Sequence, residues 1–131
     1  MPASPWRTIG TPEPGSEVLA LVSYLPLKSY WREPHFFFYT ARVMKQLASA
    51  PGLLGYSLLA RPLLRRFWTL SAWENAGALE GFVERPPHAR IMTALTRHMD
   101  KTEFVRWTLK GSELPLRWDE ALRRLEHSKT G

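Results

Sequence analysis

The stretch LLGYSLLARPLLRRFWTLSAW, residues 53–73, sets two β-rich runs on either side of a short RPLL break. Residues 53–60 and 65–73 are crowded with leucine, aromatic and hydroxyl side chains, a composition that suits a pleated surface. The pair reads as a hairpin. Working backward, EPHFFFYTARVMKQLASAPG (33–52) carries Phe36, Thr40, Val43, Met44 and Leu47 at helical spacing. Pro34 suits its first turn and Pro51-Gly52 ends it. Phe38 falls on the opposite face, beside Arg42 and Lys45. Working forward, Asn75 stands where a helix N-cap belongs, before AGALEGFVE (76–84).

The outer elements complete the pattern. EVLALVSYL (17–25) is β-rich and apolar on both faces: Val18, Ala20, Val22 and Tyr24 point one way, Leu19, Leu21, Ser23 and Leu25 the other. TEFVRWTLK (102–110) reads as a further strand, in which Arg106 alternates with apolar neighbours and is taken as edge-facing, with projection toward a pocket as the alternative. PLRWDEALRRLEH (115–127) reads as an amphipathic helix with Trp118, Ala121, Leu122 and Leu125 on one side. The order β-α-β-β-α-β plus a C-terminal helix predicts an α+β, ferredoxin-like fold: a four-stranded antiparallel sheet with helices on one face. Strands apolar on both faces need cover on both sides, and a second subunit packed sheet to sheet would supply it. Residues 1–16 hold Pro2, Pro5, Pro12 and Pro14 and read as an arm that is mobile unless Trp6 docks; residues 17–127 read as one domain.

Composition narrows the function classes. A chain of 131 residues can bury a core without staples, and with no cysteine it has no disulfide, thiolate metal site or cysteine nucleophile. This suits a cytoplasmic protein. No stretch approaches the roughly 20 apolar residues of a membrane span, and no membrane partner is expected. The net charge is +6 and 13 of the 18 basic residues are arginine, yet they are spread along the chain with only RR doublets. Nucleic-acid binding needs a clustered patch and is not expected. Phosphate-binding, dinucleotide-binding and serine-hydrolase motifs are absent, and the strand hydroxyls Ser23, Ser57, Thr69 and Ser71 have no evident base nearby.

The titratable candidates sit in ERPPHARIMTALTRHM (84–99). Pro86 and Pro87 suit a helix start. Ile91, Met92, Leu95 and Met99 form an apolar stripe, with His88 near its centre and His98 on its edge. A histidine on an apolar stripe is either a buried ring with a local partner or the wall of a pocket. The rings lie about 15 Å apart along the axis, too far to share a metal, and no other cluster has ligand spacing. No metal site is expected.

At FWTLSAWENAGALEGFVERPPHARIM (67–92) the pattern becomes specific: a strand ending in Trp73-Glu74, a short Ala/Leu helix, an aromatic, a break containing His88, then another helix. This stretch, with APGLLGYSLLARP (50–62), resembles the antibiotic-biosynthesis-monooxygenase-like family of the dimeric α+β barrel superfamily. The resemblance covers residues 17–110. It implies a homodimer and a pocket between the helices and the helix-facing side of the sheet. It also implies oxidation of a small apolar or aromatic molecule with O2 and no cofactor. His88 would then be the catalytic residue, assisting deprotonation, with Tyr24, Trp73, Phe82 and His98 lining the substrate. A non-catalytic small-ligand-binding or interaction module on the same fold is the alternative. Haem is a third reading, from which the sequence departs. The first strand offers Ser23 where the haem-degrading branch has asparagine, Phe82 stands at its tryptophan position, and His88 comes several residues early.

Overall fold

The structure, a computed structural model, describes residues 4–28, 33–85, 88, 90, 91, 99 and 101–130. One antiparallel sheet contains β1 (Arg7–Thr8), β2 (Glu17–Pro26), β3 (Leu53–Arg61), β4 (Arg66–Trp73) and β5 (Glu103–Lys110) in the order β1-β3-β4-β2-β5. The helices are α1 (Glu33–Leu47), α2 (Ala76–Glu84) and α3 (Trp118–Thr130). From β2 to β5 the chain runs βαββαβ, the ferredoxin-like order. The sheet has five strands rather than four because the arm adds β1, whose Arg7 and Thr8 pair with Tyr56 and Gly55.

Local chemistry sets the boundaries. The Asn75 side chain accepts a hydrogen bond of 2.9 Å from the Ala78 amide, satisfying an orphan donor at the start of α2. After α1 the chain turns through Gly52 at φ +82°, a conformation that glycine adopts at no steric cost. A Cβ there would also strike the Ala78 side chain at 2.5 Å, so the turn can lie close against α2.

Strand alternation divides the sheet into two apolar faces. Leu19, Leu21, Ser23 and Leu25 of β2 share one face with their β4 partners Trp73, Ser71, Thr69 and Phe67. Helices α1 and α2 cover this face, where Leu47, Leu53, Tyr56, Trp73, Leu79 and Phe82 make one buried cluster. Leu27, Phe67, Ile91 and Met99 make a second cluster toward the β3–β4 turn. On the other face Val22 and Leu70 pack against Ala121 and Leu125 of α3, with Trp118 and Leu122 beside them. Trp6 joins this face, seated over Gly55, where a Cβ would lie 2.4 Å from its indole ring. The two-sided strands thus find much of their second cover within the chain itself, from the last helix and the docked arm.

Of the α1 core face read from the sequence, Thr40, Val43, Met44 and Leu47 turn toward the sheet side, and Phe38 is exposed. The side chain of Phe36 lies outside the described residues. Residues 88, 90 and 91 are helical, but His98, Met92 and Leu95 lie outside the described residues. No helix among the described residues is long and apolar enough to cross a membrane.

Candidate functional site

Between the helix-facing side of the sheet and the helices lies a cavity of about 480 Å³. That volume is within the ordinary range of small-molecule pockets. Its floor rows follow from the strand register. Arg106, Leu21, Ser71 and Tyr56 lie side by side across β5, β2, β4 and β3, and Phe104, Ser23, Thr69 and Leu58 form the next row. Val43 and Met44 of α1, Leu79 and Phe82 of α2, and His88 supply the walls. The helices leave the cavity-facing side of β5 uncovered, so Phe104 is 53 % exposed and Arg106 and Thr108 are exposed too. The cavity therefore has an open flank at that edge strand.

Three of the aromatic and imidazole side chains singled out in the sequence form a chain along one wall. Trp73 contacts Phe82 with ring centroids 5.4 Å apart, and Phe82 contacts His88 at 5.0 Å. Trp73 is itself held by a 2.9 Å hydrogen bond from Nε1 to Ser71 Oγ. Tyr24 does not join them. It sits on the opposite face of the sheet against Trp68, with centroids 5.3 Å apart, and in the cluster that α3 covers. The reason is strand parity: Tyr24 is one residue from Ser23 and Leu25, which face the cavity, so it points away. His98 lies outside the described residues.

His88 is held from two sides. Its backbone N–H donates to Gln46 Oε1 at 2.9 Å, and its ring Nδ1 lies 3.3 Å from the Val83 carbonyl. A carbonyl can only accept, so Nδ1 is the donor there and the lone pair resides on Nε2. Burial pushes the pKa of His88 below its ordinary 6.5, against the opposing pull of the Val83 hydrogen bond. The ring is thus kept neutral near pH 7, the form in which Nε2 can take a proton.

Gln46 is the residue that sequence reasoning missed. Besides accepting from His88, its Nε2 donates to the Phe82 carbonyl at 3.1 Å and reaches the Arg85 carbonyl at 3.5 Å. One amide from α1 therefore bridges the last turn of α2 and the backbone of His88. The only signal in the sequence was a polar residue next to the Val43–Leu47 stripe.

No three histidine, aspartate or glutamate side chains group as metal ligands among the described residues. No acidic side chain lines the cavity among the described residues, and Arg106 is the one cation there.

No family model matches the chain, and neither does any curated protein. Solved structures do. SnoaB, a cofactor-independent oxygenase from Streptomyces nogalater, aligns over 73 % of this chain and 95 % of its own at 20 % identity and a TM-score of 0.56. A dimeric ferredoxin-like protein of unknown function from Thermobifida fusca aligns over 72 % and 92 % at 12 % identity and a TM-score of 0.60. An antibiotic biosynthesis monooxygenase aligns over 74 % and 99 % at 14 % identity, also with a TM-score of 0.60. The chain shares their fold. The resemblance read from residues 17–110 thus extends to three dimensions. These neighbours are covered almost end to end, while about a quarter of this chain falls outside the alignment.

Proposed function

We propose that this protein is a cofactor-independent, monooxygenase-like enzyme that oxidises a small apolar or aromatic molecule in the cavity. It works as a homodimer, a reading supported by the dimeric ferredoxin-like neighbour, and in the cytoplasm. The observation that carries the proposal is His88. It is a neutral imidazole with its lone pair on Nε2, on the wall of an apolar cavity, next to the Phe82 and Trp73 rings. The fold shared with SnoaB supports the reaction class.

In this reading the apolar walls hold a flat, electron-rich substrate and exclude water. Nε2 of His88 takes a proton from an acidified C–H or O–H. The resulting anion passes electrons to O2, forms a C–O bond, and loses water to leave a carbonyl. The balance is CH2 + O2 → C=O + H2O, so one oxygen atom enters the product and the other leaves as water. Burial matters because a protonated His88 could not act. Its lowered pKa keeps it competent down to pH values below 6.5.

The test uses anthrone, whose CH2 is acidified by two aryl rings and a conjugated carbonyl. O2 uptake and anthraquinone formation are followed together. Wild-type protein should accelerate both with matched stoichiometry. The rate should hold on acidification and fall only with a midpoint below about 6.5, because the neutral base is lost at the lowered pKa. His88→Ala should reduce the rate by about 100-fold or more while the circular dichroism spectrum stays unchanged. Binding without turnover would support a non-catalytic ligand module instead, and full activity in His88→Ala would remove the assigned base.

A further inference from the structure

We propose that the floor of the cavity contains a carboxylate subsite, made by Arg106 with the hydroxyls of Ser23 and Thr69, and that the natural ligand is an apolar organic acid. This deepens the ligand-cavity reading above and rests on it.

The argument starts from strand parity. Arg106 is the β5 partner of Leu21, and Ser23, two residues along β2, faces the same side. Residues placed diagonally in this way on one face of a sheet stand about 7–8 Å apart, within reach of an arginine side chain. Thr69 is the direct β4 partner of Ser23. Three groups that can donate hydrogen bonds therefore share one patch of the floor.

None of the three side chains has a hydrogen-bond or ion-pair partner among the described residues. Ser23 is only 5 % exposed, yet neither its hydroxyl nor that of Thr69 hydrogen-bonds to another described residue. Ser71 shows the contrast in the next row, where its Oγ accepts from Trp73. Both hydroxyls line the cavity and are reached from it, so a polar atom of a ligand can bond to them there. Among the described residues Arg106 has no ion pair, and no acid lines the cavity to compete for it. A guanidinium at the open flank, with two hydroxyls just inside, matches the two oxygens of a carboxylate. The ligand body would then extend over Leu21 and Ser71 toward the Trp73–Phe82–His88 wall. The acid group fixes which end of the molecule meets the imidazole.

The experiment compares two probes of nearly equal shape and different charge, 2-naphthoate and 2-acetylnaphthalene. Full-length protein is titrated into each at pH 7 in a calorimeter. Wild-type protein should bind the acid about ten-fold more tightly than the ketone, the ratio expected for a charge-assisted hydrogen bond at a partly exposed site. Arg106→Gln should erase that preference and leave ketone binding unchanged, and Arg106→Lys should restore part of it. Ser23→Ala should weaken acid binding a few-fold with Arg106 intact. Equal affinity of wild-type protein for the two probes would overturn the subsite while leaving the cavity reading in place. So would an Arg106→Gln variant that weakens both alike. Failure of both probes to bind would overturn the cavity reading and the subsite together.

Discussion

Gln46 shows how much can depend on one amide. Its three hydrogen bonds, to the His88 N–H and to the Phe82 and Arg85 carbonyls, tie α1 to the end of α2 and to the backbone of His88. The two carbonyls lie at the end of α2, where that of Phe82 also accepts from the Arg85 N–H at 3.3 Å. Replacing Gln46 by alanine strips partners from partly buried polar groups at a cost of about 1–3 kcal/mol. The expected outcome for Gln46→Ala is a lower Tm in thermal unfolding. In addition, the His88 imidazole resonances should titrate closer to pH 6.5 in NMR, because a loosened His88 regains water. A Gln46→Ala protein with wild-type Tm and an unmoved His88 titration would show that the amide positions nothing.

At the scale of elements, the sequence was legible wherever periodicity alone decides. The hairpin, the Asn75 cap, the two-sided β2 strand and the apolar stripe of α3 all follow from spacing, and the structure contains each of them. What spacing could not give was side-chain partnership across elements. The family resemblance sets Tyr24 among the substrate-lining residues, but parity sends it to the opposite face, and parity is settled only by which neighbours fill which side. Gln46 looked like any surface glutamine. The arm offered proline and glycine and one tryptophan, with no pattern to say where Trp6 would land. Its seat is a missing side chain, Gly55, some fifty residues away. Gly55→Val is therefore expected to unseat Trp6 and release β1 from the sheet edge. Rapid amide exchange at Ile9 and Gly10, which donate to the Leu54 carbonyl, would report it, along with a red-shifted tryptophan emission. Unchanged exchange would mean the arm is held by its backbone bonds alone.

The whole molecule is a sheet between two unlike layers. One side is occupied by α1, α2 and a cavity, the other by α3 and the arm. The two-sided apolar strands implied a partner subunit. The cover supplied by α3 means that apolarity of the second face is not by itself the argument for it. Truncation after Leu116 tests the division of labour. It should expose Val22 and Leu70, both fully buried in the whole chain, each worth about 1.5–3 kcal/mol when buried. Sedimentation should show larger species than the full-length chain forms, and Tm should fall by several degrees. A truncated chain with unaltered sedimentation and Tm would show that α3 is dispensable to the second face.

Ser57 gives that arrangement a direction in time. Its hydroxyl donates to the Ser4 carbonyl at 2.6 Å and accepts from Trp118 Nε1 at 2.9 Å, so one residue of β3 joins the arm to α3. During synthesis the arm and the hairpin emerge early, and the residues of the cavity side follow up to β5. The helix that shields the other side emerges after them. Until Trp118 clears the ribosome, a nascent chain can hold a nearly finished cavity on one side of its sheet and a bare apolar surface on the other. That interval is when this protein would depend most on chaperones.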